Sequence, residues 1–161
     1  MALHVQTDAS LSKEEKYTTL RSQLTALEDP GAGNLANTGN FLAALHFTFG
    51  FHWTGCYLVK DGQLVLGPFQ GPVACTTIGR GKGVCGTAWQ QQQTIVVPDV
   101  DSFPGHIACS SLSKSEIVVP IKNNKNEIIG VLDIDSDQYN TFDQTDATHL
   151  EAIADMLSKY L

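Results

Sequence analysis

The chain has 161 residues, 42% of them hydrophobic, enough to close one core and too few for two ordinary domains. Seventeen acidic residues against ten basic ones give a formal net charge of −7, a field that repels nucleic-acid backbones and anionic lipid and so argues against both as partners. Neither a leading apolar segment nor a run of about 18 apolar residues is present. The expectation is a soluble cytoplasmic protein with no membrane attachment.

Residues from about 1 to 12 read as a flexible N-terminal segment. From about 12 to 28, Tyr17, Leu20, Leu24 and Leu27 recur at helical spacing until Pro30-Gly31 supplies a stop. Leu35, Leu42, Leu45 and Phe49 mark the apolar face of a second helix, which Gly39 weakens by about 1 kcal/mol relative to alanine. From His52 the period changes to two. HWTGCYLVK and QLVLGPF flank Asp61-Gly62, a hairpin signal because glycine accepts the positive φ of such a turn. Gly71 to Gly86 is a glycine-rich insert, and part of VCGTAWQQQ predicts a short helix. TIVVPD, SEIVVPIKN and EIIGVLDIDS read as three further strands. Residues 99–114, with Pro104 and Gly105, form a loop long enough to carry function. Ala147, Leu150, Ile153, Ala154 and Leu157 form the stripe of a closing helix whose start is rich in capping Thr and Asp. This order predicts an α+β domain with a central antiparallel sheet flanked by N- and C-terminal helices.

Three of the four cysteines, Cys75, Cys85 and Cys109, fall in this middle region, in or beside predicted loops. In a reducing compartment such a group favours thiol catalysis, redox sensing or metal binding over structural disulfides. Cys109 ends the loop Gly105-His106-Ile107-Ala108 and is the best nucleophile candidate. Cys75 and Cys85 sit on backbone expected to be flexible enough to approach it, and a second thiol protects an oxidised sulfur from overoxidation. His106-x-x-Cys109 with Cys75 or Cys85 offers a metal-binding alternative, although no C-x-x-C pair supports structural zinc.

Strand alternation turns Cys56 away from Trp53 and Tyr57, into the core. The same alternation places Trp53 with Tyr57 on one face, and Asp133 with Asp135 on one face of their strand while Leu132 and Ile134 take the other. Glu116 reads either as a third acid or as an exposed strand end. Carboxylates in so apolar a strand are costly to bury without a cation or donors. A small zwitterion with an ammonium group and an apolar tail suits acids and aromatics together. GRGKGVCG lacks the GKS or GKT ending of a phosphate loop, and its amides instead suit a carboxylate.

The stretches GPFQGPVAC, GRGKGVCGTA and GHIAC, with the strands SEIVVP and GVLDIDS, resemble the free methionine-(R)-sulfoxide reductases, enzymes built on a GAF domain. The resemblance implies a single GAF-like domain over 1–161, with Cys109 catalytic, Cys75 the main resolving cysteine and Cys85 an auxiliary thiol. It assigns Trp53 and Tyr57 to the walls around the substrate side chain, and Glu116, Asp133 and Asp135 to the ammonium group and sulfoxide. Free methionine-(R)-sulfoxide would be the substrate and thioredoxin the reductant of the resulting disulfide. No metal or organic cofactor is implied, and a homodimer is left open. His52 and Cys56 depart from the residues common at these places in the family. The alternative is a non-enzymatic GAF module that binds a small ligand or senses redox state; such a module would be expected to carry an output domain, whereas this chain ends just after its predicted last helix.

Overall fold

The computed structural model describes Val5 and residues 8–161. Much of the N-terminal segment expected to be flexible therefore lies outside the described residues. Helix α1, Lys13–Leu27, starts at a capping box in which Ser12 and Glu15 each accept from the other's backbone N–H. Helix α2 spans Asn34–Phe49 and stops at Gly50, whose φ of 68° suits glycine. Strands β1, Trp53–Lys60, and β2, Gln63–Gln70, form the expected hairpin, with positive φ at both Asp61 and Gly62. There follow β3, Thr77–Gly79; α3, Gly83–Gln91; and β4, Ile95–Val97. The chain closes with β5, Ser115–Lys122; β6, Ile128–Ser136; and α4, Gln144–Leu157. Asp143 and Asp146 form a second capping box at the start of α4.

Every paired strand is antiparallel, in the order β3-β2-β1-β6-β5-β4. The two faces of this sheet carry separate cores. On one, α1, α2 and α4 pack Leu20, Leu45, Leu150 and Ile153 against Cys56, Ile117, Leu132 and Ile134. On the other, α3 packs Val84, Cys85 and Ala88 against Trp53, Tyr57, Val118 and Val131. Alternation along β1 and β6 accounts for the division, since successive side chains leave opposite faces. Cys56 accordingly lies in the helix-covered core, fully buried, where desolvation pushes its thiol up to about 12.

Two details depart from the sequence-based expectations. Leu35 is 76% exposed, because it lies in the first turn of α2, and the helix buries Asn37, Thr38, Phe41, Leu42, Ala44 and Leu45 instead. The glycine-rich insert contains β3, three residues paired with Gln63, Leu64 and Val65 of β2, which its Gly-flanked TIG sequence did not announce. Among the described residues no helix is long and apolar enough to cross a membrane.

Candidate active site

The sheet face under α3 holds a pocket. Strand register builds its floor. Trp53 pairs with Asp135, Asp135 with Glu116, and one step along Gly55 pairs with Asp133. The three acids, one on β5 and two on β6, thus share one side of the sheet with Trp53 and Tyr57 of β1, and all five line the pocket. Gly55 makes room for the aromatic wall. A Cβ there would overlap the Trp53 ring and stand 2.6 Å from Phe69 Cβ, so the indole can lie flat over the strand only because no side chain is present. Trp53 then stacks on Phe69 at 5.3 Å and on Tyr57 at 6.0 Å between ring centroids.

The polar tips of both aromatics face the cysteine strap of residues 72–75. Trp53 Nε1 donates to the Pro72 carbonyl at 3.0 Å, and Tyr57 Oη donates to the Cys75 carbonyl at 3.0 Å. The strap is joined covalently to the loop between β4 and β5 by a Cys75–Cys109 disulfide, with Cα atoms 5.5 Å apart. His52 Nε2 lies 3.1 Å from Ser110 Oγ and ties the same loop to the start of β1. Cys109 of the disulfide lines the pocket with Val73 and Ile107, and Val73 and Ile107 are both exposed.

Cys85 differs from the sequence-based expectation. It lies in the first turn of α3 and is 4% exposed, so it is not on a free loop, and it holds its thiol 4.0 Å from Glu116 Oε1. Burial first, and the charges of Asp133 and Glu116 next, push that thiol well above its usual range. Glu116 is a buried acid rather than an exposed strand end. Burial, then the charges of Asp133 and Asp135, raises it well above the ordinary carboxylate range. Asp133 is raised likewise, by burial and then by Asp135. Asp135 is held up at about 6 by burial, against a Ser113 hydrogen bond that lowers it. Three acids sharing one buried floor oppose one another's ionisation, so each holds its proton to higher pH than an ordinary carboxylate.

Sequence reasoning had not placed Lys82 and Ser113 in this pocket, and had considered His106 only as a metal ligand. All three line it. Lys82 precedes α3 and the amides of Gly83, Val84 and Cys85 open that helix without a side-chain cap, a combination that favours an anion. His106 Nε2 stands 3.7 Å from Glu116 Oε2, and burial keeps the imidazole below its ordinary value. The signal for Lys82 was present in GRGKGVCG. His106 and Ser113 are ordinary loop residues until the loop is folded over the floor. An acid-lined floor, an aromatic wall, a lysine at a helix N-terminus and a disulfide-bonded cysteine in the lining can together bind a small zwitterion and exchange electrons with it through sulfur.

The chain resembles known proteins over most of its length. The GAF domain family matches residues 39–161. GAF domain-containing protein A of Dictyostelium discoideum is 56% identical over 147 residues, covering 91% of this chain and 92% of that protein. The free methionine-R-sulfoxide reductase of Saccharomyces cerevisiae is 42% identical over 164 residues, covering 97% of this chain and 91% of that one. The X-ray structure of free methionine-R-sulfoxide reductase from Neisseria meningitidis, in complex with its substrate, superposes with a TM-score of 0.93 at 45% identity. The match covers 99% of this chain and 95% of that one.

Proposed function

The chain belongs to the GAF-domain family and, within it, to the free methionine-R-sulfoxide reductases, and from that premise we propose that it reduces free methionine-(R)-sulfoxide through Cys109, with Cys75 resolving the oxidised enzyme. One observation carries the reading: Cys109, bonded to Cys75, lines the same pocket as Glu116, Asp133 and Asp135. With the bond reduced, the Cys109 thiolate attacks the sulfoxide sulfur while an acid of the floor protonates its oxygen. Glu116 and Asp135 suit that donation because burial keeps protons on them at higher pH than usual. The S–O bond then passes its oxygen to Cys109. Methionine leaves reduced by two electrons, and Cys109 remains as a sulfenic acid oxidised by two. Attack by the Cys75 thiol expels water and forms the disulfide. A thioredoxin-type dithiol restores both thiols by exchange, taking the two electrons' worth of oxidation onto itself.

Binding follows the charges. The ammonium pairs with Asp133 and its neighbours, drawing them toward the ionised form, while Lys82 and the first amides of α3 receive the carboxylate. Trp53 and Tyr57 pack on the side chain and methyl. Enclosing both charged groups selects the free amino acid over a peptide-linked residue. The test is single-turnover methionine formation from free methionine-R-sulfoxide by excess reduced protein. The wild type should produce it and Cys109→Ser should not; wild-type yield in that variant would move the chemistry to another cysteine.

A further inference from the structure

Cys85 takes no part in the disulfide, yet its sulfur faces two carboxylates on the pocket floor. Among the described residues, the Sγ of Cys85 and one oxygen from each of Glu116 and Asp133 lie within 4.8 Å of one another. All three residues are buried. A second observation is independent of that clustering. Asp133 is only 6% exposed, and although Cys85, Glu116 and the Ile134 backbone are hydrogen-bond partners of its carboxyl, its Oδ1 is buried without one, an arrangement that costs free energy unless something cationic or donating meets that atom.

From this geometry we propose that the pocket floor binds a thiophilic divalent cation of the zinc class, with Cys85, Glu116 and Asp133 as ligands and His106 able to complete the shell. The ion would displace into solvent the protons that burial holds on these ligands, and one thiolate and two carboxylates then bring more than enough negative charge to neutralise a divalent ion. The soft sulfur selects zinc, cadmium or cobalt against calcium or magnesium, which take oxygen. Tetrahedral zinc with ordinary bond lengths sets sulfur and oxygen ligands about 3.6 Å apart. The Cys85 to Glu116 separation of 4.0 Å is close to that, so small side-chain rotations bring the atoms in. His106 Nε2 stands 3.7 Å from Glu116 Oε2, lines the same pocket and rides on the 99–114 loop. The ion would occupy the carboxylates proposed above for an ammonium, so it would act as a reversible blocker of the pocket. The binding itself does not depend on sulfoxide reduction.

The disulfide makes the test clean. In protein with Cys75 and Cys109 oxidised, the free thiols are those of Cys56 and Cys85, and Cys56 lies on the opposite face of the sheet. Oxidised protein is titrated with cadmium chloride while the ultraviolet thiolate-to-cadmium charge-transfer band is followed. The wild type and Cys56→Ser should show a saturable band of one ion per chain, and Cys85→Ser should lose it. Asp133→Asn and Glu116→Gln, each with an unchanged circular dichroism spectrum, should weaken the apparent cadmium affinity by about tenfold or more. Absence of the band in oxidised wild type, its persistence in Cys85→Ser, or undiminished affinity in both acid variants would overturn the proposal. A band seen only after reduction would also do so, by assigning the ion to Cys75 and Cys109. Should Cys85→Ser fail to fold, the two acid variants still decide.

Discussion

Asp135→Asn should make the protein more stable and a worse enzyme, and the two effects have one cause. Asp135 moves from 3.8 in an open chain to about 6 in the fold because burial disfavours its charge. A group whose folded value is raised binds more protons in the native than in the unfolded state between those two values, so stability is retained below about 4 and lost as pH rises through about 6. The displacement of about two units, at about 1.4 kcal/mol each, is a penalty of roughly 3 kcal/mol at pH 7.5 before relaxation of the neighbours. Asparagine removes the charge and keeps the shape. It also relieves Glu116 and Asp133, both of which feel the Asp135 charge. For a chain of this size, 2–3 kcal/mol corresponds to a gain of roughly 4–10 °C in Tm. The assay is thermal unfolding of oxidised wild type and variant at pH 4 and pH 7.5, paired with kcat/KM for free methionine-R-sulfoxide after reduction. The gain should be present at pH 7.5 and nearly absent at pH 4, while kcat/KM falls about 10- to 150-fold through loss of a charge-assisted contact of roughly 1.5–3 kcal/mol. An equal change in Tm at both pH values, or destabilisation at pH 7.5, would refute the electrostatic reasoning.

Three further outcomes follow from the same geometry. Cys75→Ser should release methionine in a single turnover yet accumulate sulfenic acid, measurable by dimedone labelling of Cys109; a normal multiple-turnover rate with thioredoxin would hand the resolving role to Cys85. N-acetylmethionine-R-sulfoxide, which lacks the ammonium, should show kcat/KM at least about tenfold below the free amino acid; equal values would remove the acids from substrate binding. Gly55→Ala should cost roughly 1–3 kcal/mol by overpacking against the Trp53 ring and Phe69 Cβ, and an unchanged urea midpoint would show that the indole can lie elsewhere.

The period-two pattern was enough, by itself, to separate Cys56 from Trp53 and Tyr57, to put Asp133 and Asp135 on one face, and to predict the Asp61-Gly62 hairpin, because pleating and turn conformation are local properties of the chain. Helical spacing located α1 and α4 for the same reason. It misjudged Leu35, since periodicity reports which side of a helix is apolar and not how far the covering core extends. The cysteine pattern singled out Cys75, Cys85 and Cys109 but could not distinguish a strap cysteine from one in the first turn of a helix, and so read the backbone at Cys85 as flexible. Pairing Trp53 with Asp135 and Asp135 with Glu116 joins segments far apart in the chain, and nothing local sets that register. Tertiary packing alone folded the 99–114 loop over the floor, brought His106 and Ser113 to the acids, and turned the polar tips of Trp53 and Tyr57 onto the cysteine strap. The raised acids belong to that second group: a carboxylate's proton affinity depends on the water and charges removed from or brought to it, and these are decided only when distant strands close the pocket.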